Sequence, residues 1–325
     1  MKLQVVSMHQ YSDWTLEKDL EFKEHELWDI KKGIEWTLNV YNNYSPNKNL
    51  GGYADRVFSS LCYANHYGIA NYTYNLLHYH SQLNYTNFLI RLNAGKSVQF
   101  TIADKEIETI GEFKNSEIGA SYVISGIAVA RILRNQSFLN FYADIPVTFT
   151  EQQNQEDIIW ETMMYFYQTL IKGEADINAA ASTHHHISSF LDWDEYKKYI
   201  KVEGYNSLHI WKDVFEMRKV TVEAFLLPVL QIYHSILHQD QAGYEKAVCE
   251  ALIKWKDYYT MPKYVENGQE FDNSTIPSGY LALEIAAACA YAYDRGMKLE
   301  TVESDYIPKW MIEGHFEGFE LLIKD

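Results

Sequence analysis

The side chains whose spacing suggests chemistry in this chain of 325 residues are histidines. His184, His185 and His186 are consecutive, and His234 and His238 lie four apart in an apolar stretch. On a helix, an i, i+4 pair shares a face and can place two imidazoles on one metal. Consecutive helical positions diverge, so the run of three does not converge on one ion. No ExxH partner lies nearby to supply a third ligand. GxGxxG, phosphate-loop, GxSxG and HExxH patterns are all missing. That removes the reactions a sequence most readily betrays, without excluding an enzyme. The reading is that no residue here is catalytic, cofactor-binding or metal-binding, and that no cofactor is needed.

Charge is the second signal. The net charge is −16, which argues against direct nucleic-acid binding, because such binding needs basic surface. The excess is unevenly placed. Between Asn135 and Tyr196 the carboxylates are Asp144, Glu151, Glu156, Asp157, Glu161, Glu174, Asp176, Asp192, Asp194 and Glu195, against the single cation Lys172. Residues 262–325 carry a second acidic excess, and the remaining stretches are close to neutral. Acidic runs are by default solvated faces. Ten like charges held close also repel one another, and a basic partner relieves that repulsion. These ten are therefore the candidate partner-binding residues. Asp157 and Glu161 share a helix face while Glu156 leans aside.

The elements that must position these groups are helical. At 47% hydrophobic the chain can bury a large core, and its 6 prolines and 16 glycines are too few for a fold of many short strands. Residues 13–44 carry one apolar stripe, followed by a loop over 46–52. A helical region over about 53–92 breaks either near Gly68 or around 81–85. SVQFTIADKEIETIGEF alternates and predicts a β-hairpin within 97–112, which must lean on helices to be stable. Further helices are expected over 117–133, from the turn at Ser137 to Pro146, and over 154–172 with Asn154 as cap. Others follow over 193–200 behind an Asp192/Glu195 capping box, and over 207–219, 221–238, 242–259 and 278–295. Pro228 either kinks its helix or starts a new one. Residues 262–277 read as a loop. Trp160, Met163, Met164 and Tyr167 echo a tetratricopeptide opening, but no 34-residue period follows, so a solenoid is not expected.

Cys62, Cys249 and Cys289 are scattered in apolar contexts and read as buried thiols of a reducing compartment. The N-terminal LQVV is too short for a signal-peptide core, and no stretch approaches the length of a membrane span. A cytoplasmic protein without membrane partners is expected. Of the 26 tyrosines most belong to the core, with the Tyr, Asn and His cluster over 63–85 the one expected at the surface.

From 117 to 310 the order of parts resembles the immunity 49 family, antidote proteins encoded beside bacterial polymorphic toxins. An apolar helix ends in an arginine-containing turn and leads to a proline, as in SYVISGIAVARILRNQSFLNFYADIP. An aromatic helix with an acidic continuation follows, WETMMYFYQTLIKGEADINAAAS. Next come a leucine-rich helix around a proline and a helix with an aromatic-lysine-aromatic end, FLLPVLQIYHSILHQDQAGYEKAVCEALIKWKDYY. The close is PSGYLALEIAAACAYAYDRG and the S-x-Y-x-P coda VESDYIP. Tyr122 stands where the family pattern places Trp. Asp305 and Tyr306 are expected to anchor the coda, and Pro308 to stop the preceding helix.

The resemblance implies a mainly all-α protein, a single helical domain over 1–325 built of packed helical hairpins, with one small β-hairpin. It implies a non-enzymatic immunity protein that binds a cognate toxin. An acidic antidote suits a toxin with a basic substrate groove, such as a nuclease, a deaminase or another enzyme acting on nucleic acid. The alternatives are a helical enzyme with a histidine-based, metal-assisted site and a helical scaffold.

Overall fold

The computed structural model describes residues 3–9, 50–103, 105–113, 119–151, 158–199, 218–262, 264–266 and 269–320, with single positions 32, 212, 215 and 216. The expected 13–44 helix, the Asn154 cap, and Glu156 and Asp157 lie outside the described residues. In chain order the elements are β1 (Gln4–Val5), α1 (Leu50–His66), α2 (Ala70–Leu92), β2 (Ser97–Ile102), β3 (Lys105–Ile110), α3 (Ala120–Ile132) and α4 (Gln136–Ala143). Then come α5 (Val147–Glu151), α6 (Ile158–Lys172), α7 (Ile177–Ser189) and α8 (Trp193–Tyr196). A π-helical turn (Val222–Leu226) precedes α9 (Leu227–Leu237), α10 (Gln241–Tyr259), β4 (Tyr264–Glu266) and β5 (Gln269–Phe271). The last elements are α11 (Leu283–Tyr293), β6 (Val302–Glu303) and α12 (Lys309–Glu313). The protein is mainly all-α, as expected. Backbone contacts divide it into two compact units, 1–7 with 119–258 and 282–314, and 8–118 with 259–281 and 315–325.

In the second unit α1 packs on α2. Of the two breaks the sequence allows, the chain uses Gly68, whose φ of +67° is costly for any residue with a Cβ. The helix then runs unbroken through Ser81 and Tyr85. Helix α1 begins at Leu50, so Gly51 and Gly52 form its first turn rather than a loop. The hairpin is where it was expected: Ser97 pairs with Ile110 and Ile102 with Lys105. Val98, Phe100 and Ile102 are buried, while Ile110 is exposed.

The 63–85 cluster corrects the reading. Tyr72, Asn75, Tyr79, His80 and Asn84 are buried, not exposed. Three polar side chains of the cluster find carbonyl partners inside the unit. Asn65 donates to the Tyr280 carbonyl at 2.8 Å, Asn75 to the Asn71 and Glu320 carbonyls, and His80 Nδ1 lies 2.9 Å from the Ala54 carbonyl. Buried amides and imidazoles are tolerated on such terms. The expected 262–277 loop also differs. It holds the short antiparallel pair β4–β5 and a 3₁₀ turn capped by Asp272, which accepts from the Ser274 amide. Its three-residue strands are too short for periodicity to reveal.

In the first unit α3 is buried almost all round and packs on α6, α4 and α11. Its Gly126 faces Tyr142, and a Cβ there would come within 2.3 Å of the phenol ring. The expected 278–295 helix starts late. Pro277–Tyr280 is a 3₁₀ turn, the backbone then extends, and α11 begins at Leu283. The Ala282 amide donates to the Tyr306 carbonyl, which ties the helix start to the coda. β1 pairs in parallel with β6, Gln4 with Val302 and Val5 with Glu303, a contact no local pattern announces. Pro308 does not stop a helix. It caps the start of α12, and its carbonyl accepts from the Met311 amide. Tyr306 is fully buried as an anchor should be, whereas Asp305 is exposed.

Candidate functional site

The first unit carries an open groove between α9 and α10, about 740 Å³ in volume. Its walls are Gln231, His234, Ser235, His238, Asp240, Gly243, Lys246, Ala247 and Glu250. Local sequence explains both walls. Pro228 has no amide proton and its ring crowds the preceding turn, so the chain widens there into π geometry. The Leu227 amide donates to the Val222 carbonyl, and α9 starts with proline in its first turn. Helix α9 then turns Val229, Leu230, Ile232, Tyr233 and Ile236 inward and leaves Gln231 and His234 on the open side. Gln239, at φ +55°, and Asp240 make the turn. Asp240 caps α10 by accepting from the Gly243 amide at 3.0 Å. On α10, Tyr244, Val248, Ala251, Leu252, Trp255 and Tyr259 form the expected buried face, and Lys246 and Glu250 stay exposed.

Helix α7 packs against α9, and this joins the two histidine groups. The rings of His234 and His238 are 4.4 Å apart. Burial holds His184 below the ordinary histidine value, and the nearby His234, Lys254 and His185 push in the same direction. Burial also lowers His234, and His238 adds to it. His186 turns elsewhere and meets Phe190 edge-on with ring centroids 4.7 Å apart, so the consecutive run diverges as helix geometry requires. Among the described residues no group of three or more His, Cys, Asp or Glu side chains is arranged to hold a metal.

The acidic candidates have individual surroundings. Asp176 caps α7 through the Asn178 amide at 3.0 Å. Asp192 caps α8 through the Asp194 and Glu195 amides, which is half of the expected capping box. Glu195 does not reach back to complete it. It pairs with Lys198 at 2.6 Å, as Asp194 pairs with Lys197 at 2.5 Å. Asp144 lies 3.7 Å from Lys172. Glu161 is half-buried, and Glu174 is exposed just past the end of α6. For Glu151 only the backbone, at the end of α5, is described. The two lysines that answer Asp194 and Glu195 follow Tyr196 directly, at the end of the acidic block. Such exposed pairs add little stability.

Two polar residues hold this unit together, Glu245, which no motif singled out, and Arg134. Glu245, on α10, is buried and accepts from Gln241 at 2.9 Å, from the Glu300 amide at 3.0 Å and from the Thr301 hydroxyl. Burial works against its charge, but these donors outweigh it and hold the carboxyl below its ordinary value. Arg134 lies in the arginine-containing turn of the family pattern, at φ +55°. Its guanidinium donates to the Ile132 and Met311 carbonyls at 2.7 Å, to the Ile312 carbonyl, and to Asp294 at 3.2 Å. Only its place at a helix end was legible in sequence. The free thiols of Cys62, Cys249 and Cys289 are buried.

Residues 218–237 form a run long and apolar enough to cross a membrane by length and composition, which the sequence reading did not anticipate. Half of it is buried within the protein, as in the core helix of a folded unit. No curated protein and no solved structure matches the chain. The family model described as Immunity protein 49 does match, over residues 207–311, a stretch that holds both walls of the groove. The family that the order of motifs over 117–310 resembles is therefore the one whose model matches residues 207–311, immunity protein 49.

Proposed function

We propose that this protein is an antidote that binds the toxic domain of one bacterial polymorphic toxin acting in the cytoplasm and blocks its basic substrate groove. The observation that carries the reading is the family match over 207–311. The first unit suits the role because it offers a polar groove lined by Asp240 and Glu250, and carries further acidic side chains at Glu174, at the cap Asp176 and on α8. Exposed carboxylates chiefly steer a basic partner and speed its association. Since Asp176 and Asp192 cap helices, Asp194 and Glu195 already have lysines, and Asp144 lies beside Lys172, the exposed Glu174 is the steering charge that can be reversed with least structural cost.

Co-expression with the C-terminal domain of the toxin encoded beside this gene tests the reading. Growth is rescued and the two chains co-purify in a stable complex. Association slows as salt rises, because screening shortens the reach of exposed charge. Glu174→Lys lowers the on-rate more than Glu106→Lys on β3 of the other unit. Rescue without any complex refutes binding as the mode of protection, and a salt-independent on-rate refutes acidic steering.

A further inference from the structure

Tyr291 on α11 carries two guanidiniums on one ring. The Arg295 guanidinium carbon lies 3.4 Å from the ring centroid and that of Arg131, at the end of α3, lies 5.0 Å from it. The ring is buried and backed by further tyrosines, with Tyr233 at 5.6 Å from Tyr291 and Tyr167 at 5.6 Å from Tyr233. Arg131 is half-buried and Arg295 exposed. Among the described residues the Arg131 guanidinium makes no hydrogen bond or ion pair. Asp294, which precedes Arg295 in the chain, is engaged by Arg134. A guanidinium offers five donors in a planar fork, and a half-buried fork without an acceptor gives up solvation for the ring contact alone. Burial pushes Arg131 below its ordinary value and Arg295 adds to that, against opposing contributions from Tyr233, Tyr291 and Asp294. In a chain of net charge −16 this is a local surplus of two cations on an aromatic platform.

We infer that the Arg131–Tyr291–Arg295 stack is a receptor for a carboxylate side chain of the protein partner, taken bidentately by the paired guanidiniums against the tyrosine wall. Arg and Tyr in half-desolvated settings are the residue types that dominate binding energy at protein interfaces, and the planar fork matches a carboxylate. Nucleic acid is the poorer occupant, because the surrounding charge repels a polyanion. That the carboxylate comes from the toxin rests on the antidote reading; that the site takes an oxyanion does not.

The test uses the full chain and two probes. Acetate is titrated against chloride at constant ionic strength while the arginine side-chain NMR signals are followed. The signals of Arg131 and Arg295 shift saturably, and the shift is lost in R131M/R295M. No saturable shift, or one that survives the double substitution, overturns the site. The second probe is the toxin domain encoded beside the gene. Its affinity falls about tenfold or more in R131M/R295M, and R131K does not restore it. An affinity within about twofold of wild type overturns the interface role, and so does inorganic phosphate binding more tightly than acetate without competing with the toxin. If wild type forms no complex with that domain, the antidote reading fails and the acetate titration still decides the oxyanion site. Thermal stability separates binding from a structural role. R131M removes an unpaired, half-buried cation while keeping the stem, so its melting temperature stays level or rises, and a large drop overturns the inference.

Discussion

Arg134 reaches across 177 positions of sequence to hold the Met311 carbonyl, donating from Nη1 at 2.7 Å. The same guanidinium binds the Ile312 carbonyl and the end of α3, so one side chain closes two helix ends whose carbonyls lack helical partners. Arg134→Ala should cost about 2–3 kcal/mol, the range for hydrogen bonds to a charged group once cooperative losses are included. Arg134→Lys should recover only a part, because an ammonium cannot present the fork. Urea unfolding measures both, and full recovery by lysine would show that charge alone matters.

Glu245 makes a pH prediction. Its carboxyl is held below the ordinary value of 4.5, so the folded state favours the ionised form. That contribution is present above the unfolded value and is lost as pH falls through the lowered folded one. Glu245→Gln should therefore destabilise by about 1–3 kcal/mol at neutral pH, with the gap from wild type narrowing in acid. A gap constant down through the carboxylate range would count against it.

His80 acts over a higher window. Burial lowers its value from 6.5 to about 4, against the opposing effect of the Ala54 carbonyl. The folded state thus holds the imidazole neutral. Its contribution is intact above about 6.5 and declines as pH falls toward about 4. Glutamine at this position cannot titrate, so His80→Gln should flatten the pH dependence of unfolding in that interval. Parallel stability curves for the two proteins would disprove the assignment.

Gly126 is a packing test. A methyl group there meets the ring of the fully buried Tyr142. Alanine is the better helix former by about 1 kcal/mol, yet overpacking costs about 1–3 kcal/mol. Gly126→Ala should leave a net loss of stability, and adding Tyr142→Phe should regain only the share due to the hydroxyl, because the ring carbon at 2.3 Å stays in place. A stabilised single variant would show that the ring moves freely.

By itself the sequence determined the helical class, the hairpin at 97–110 and the buried face of α10, and it carried the likeness to the immunity 49 family. All of these rest on periodicity, turn chemistry or the order of local motifs, which a chain carries within windows of a dozen or so residues. Tertiary structure alone decided the rest. The polar cluster of α1 and α2 looked exposed because Asn and His are polar, and it is buried because distant carbonyls of Tyr280 and Glu320 accept from it. β1 exists only because β6 lies beside it. His184 meets His234, Glu245 meets Thr301, and Arg131 and Arg295 share Tyr291 only where separate helices pack. Such pairings are set by burial and by the need of each buried polar group for a partner, and neither is a property of any short stretch of chain.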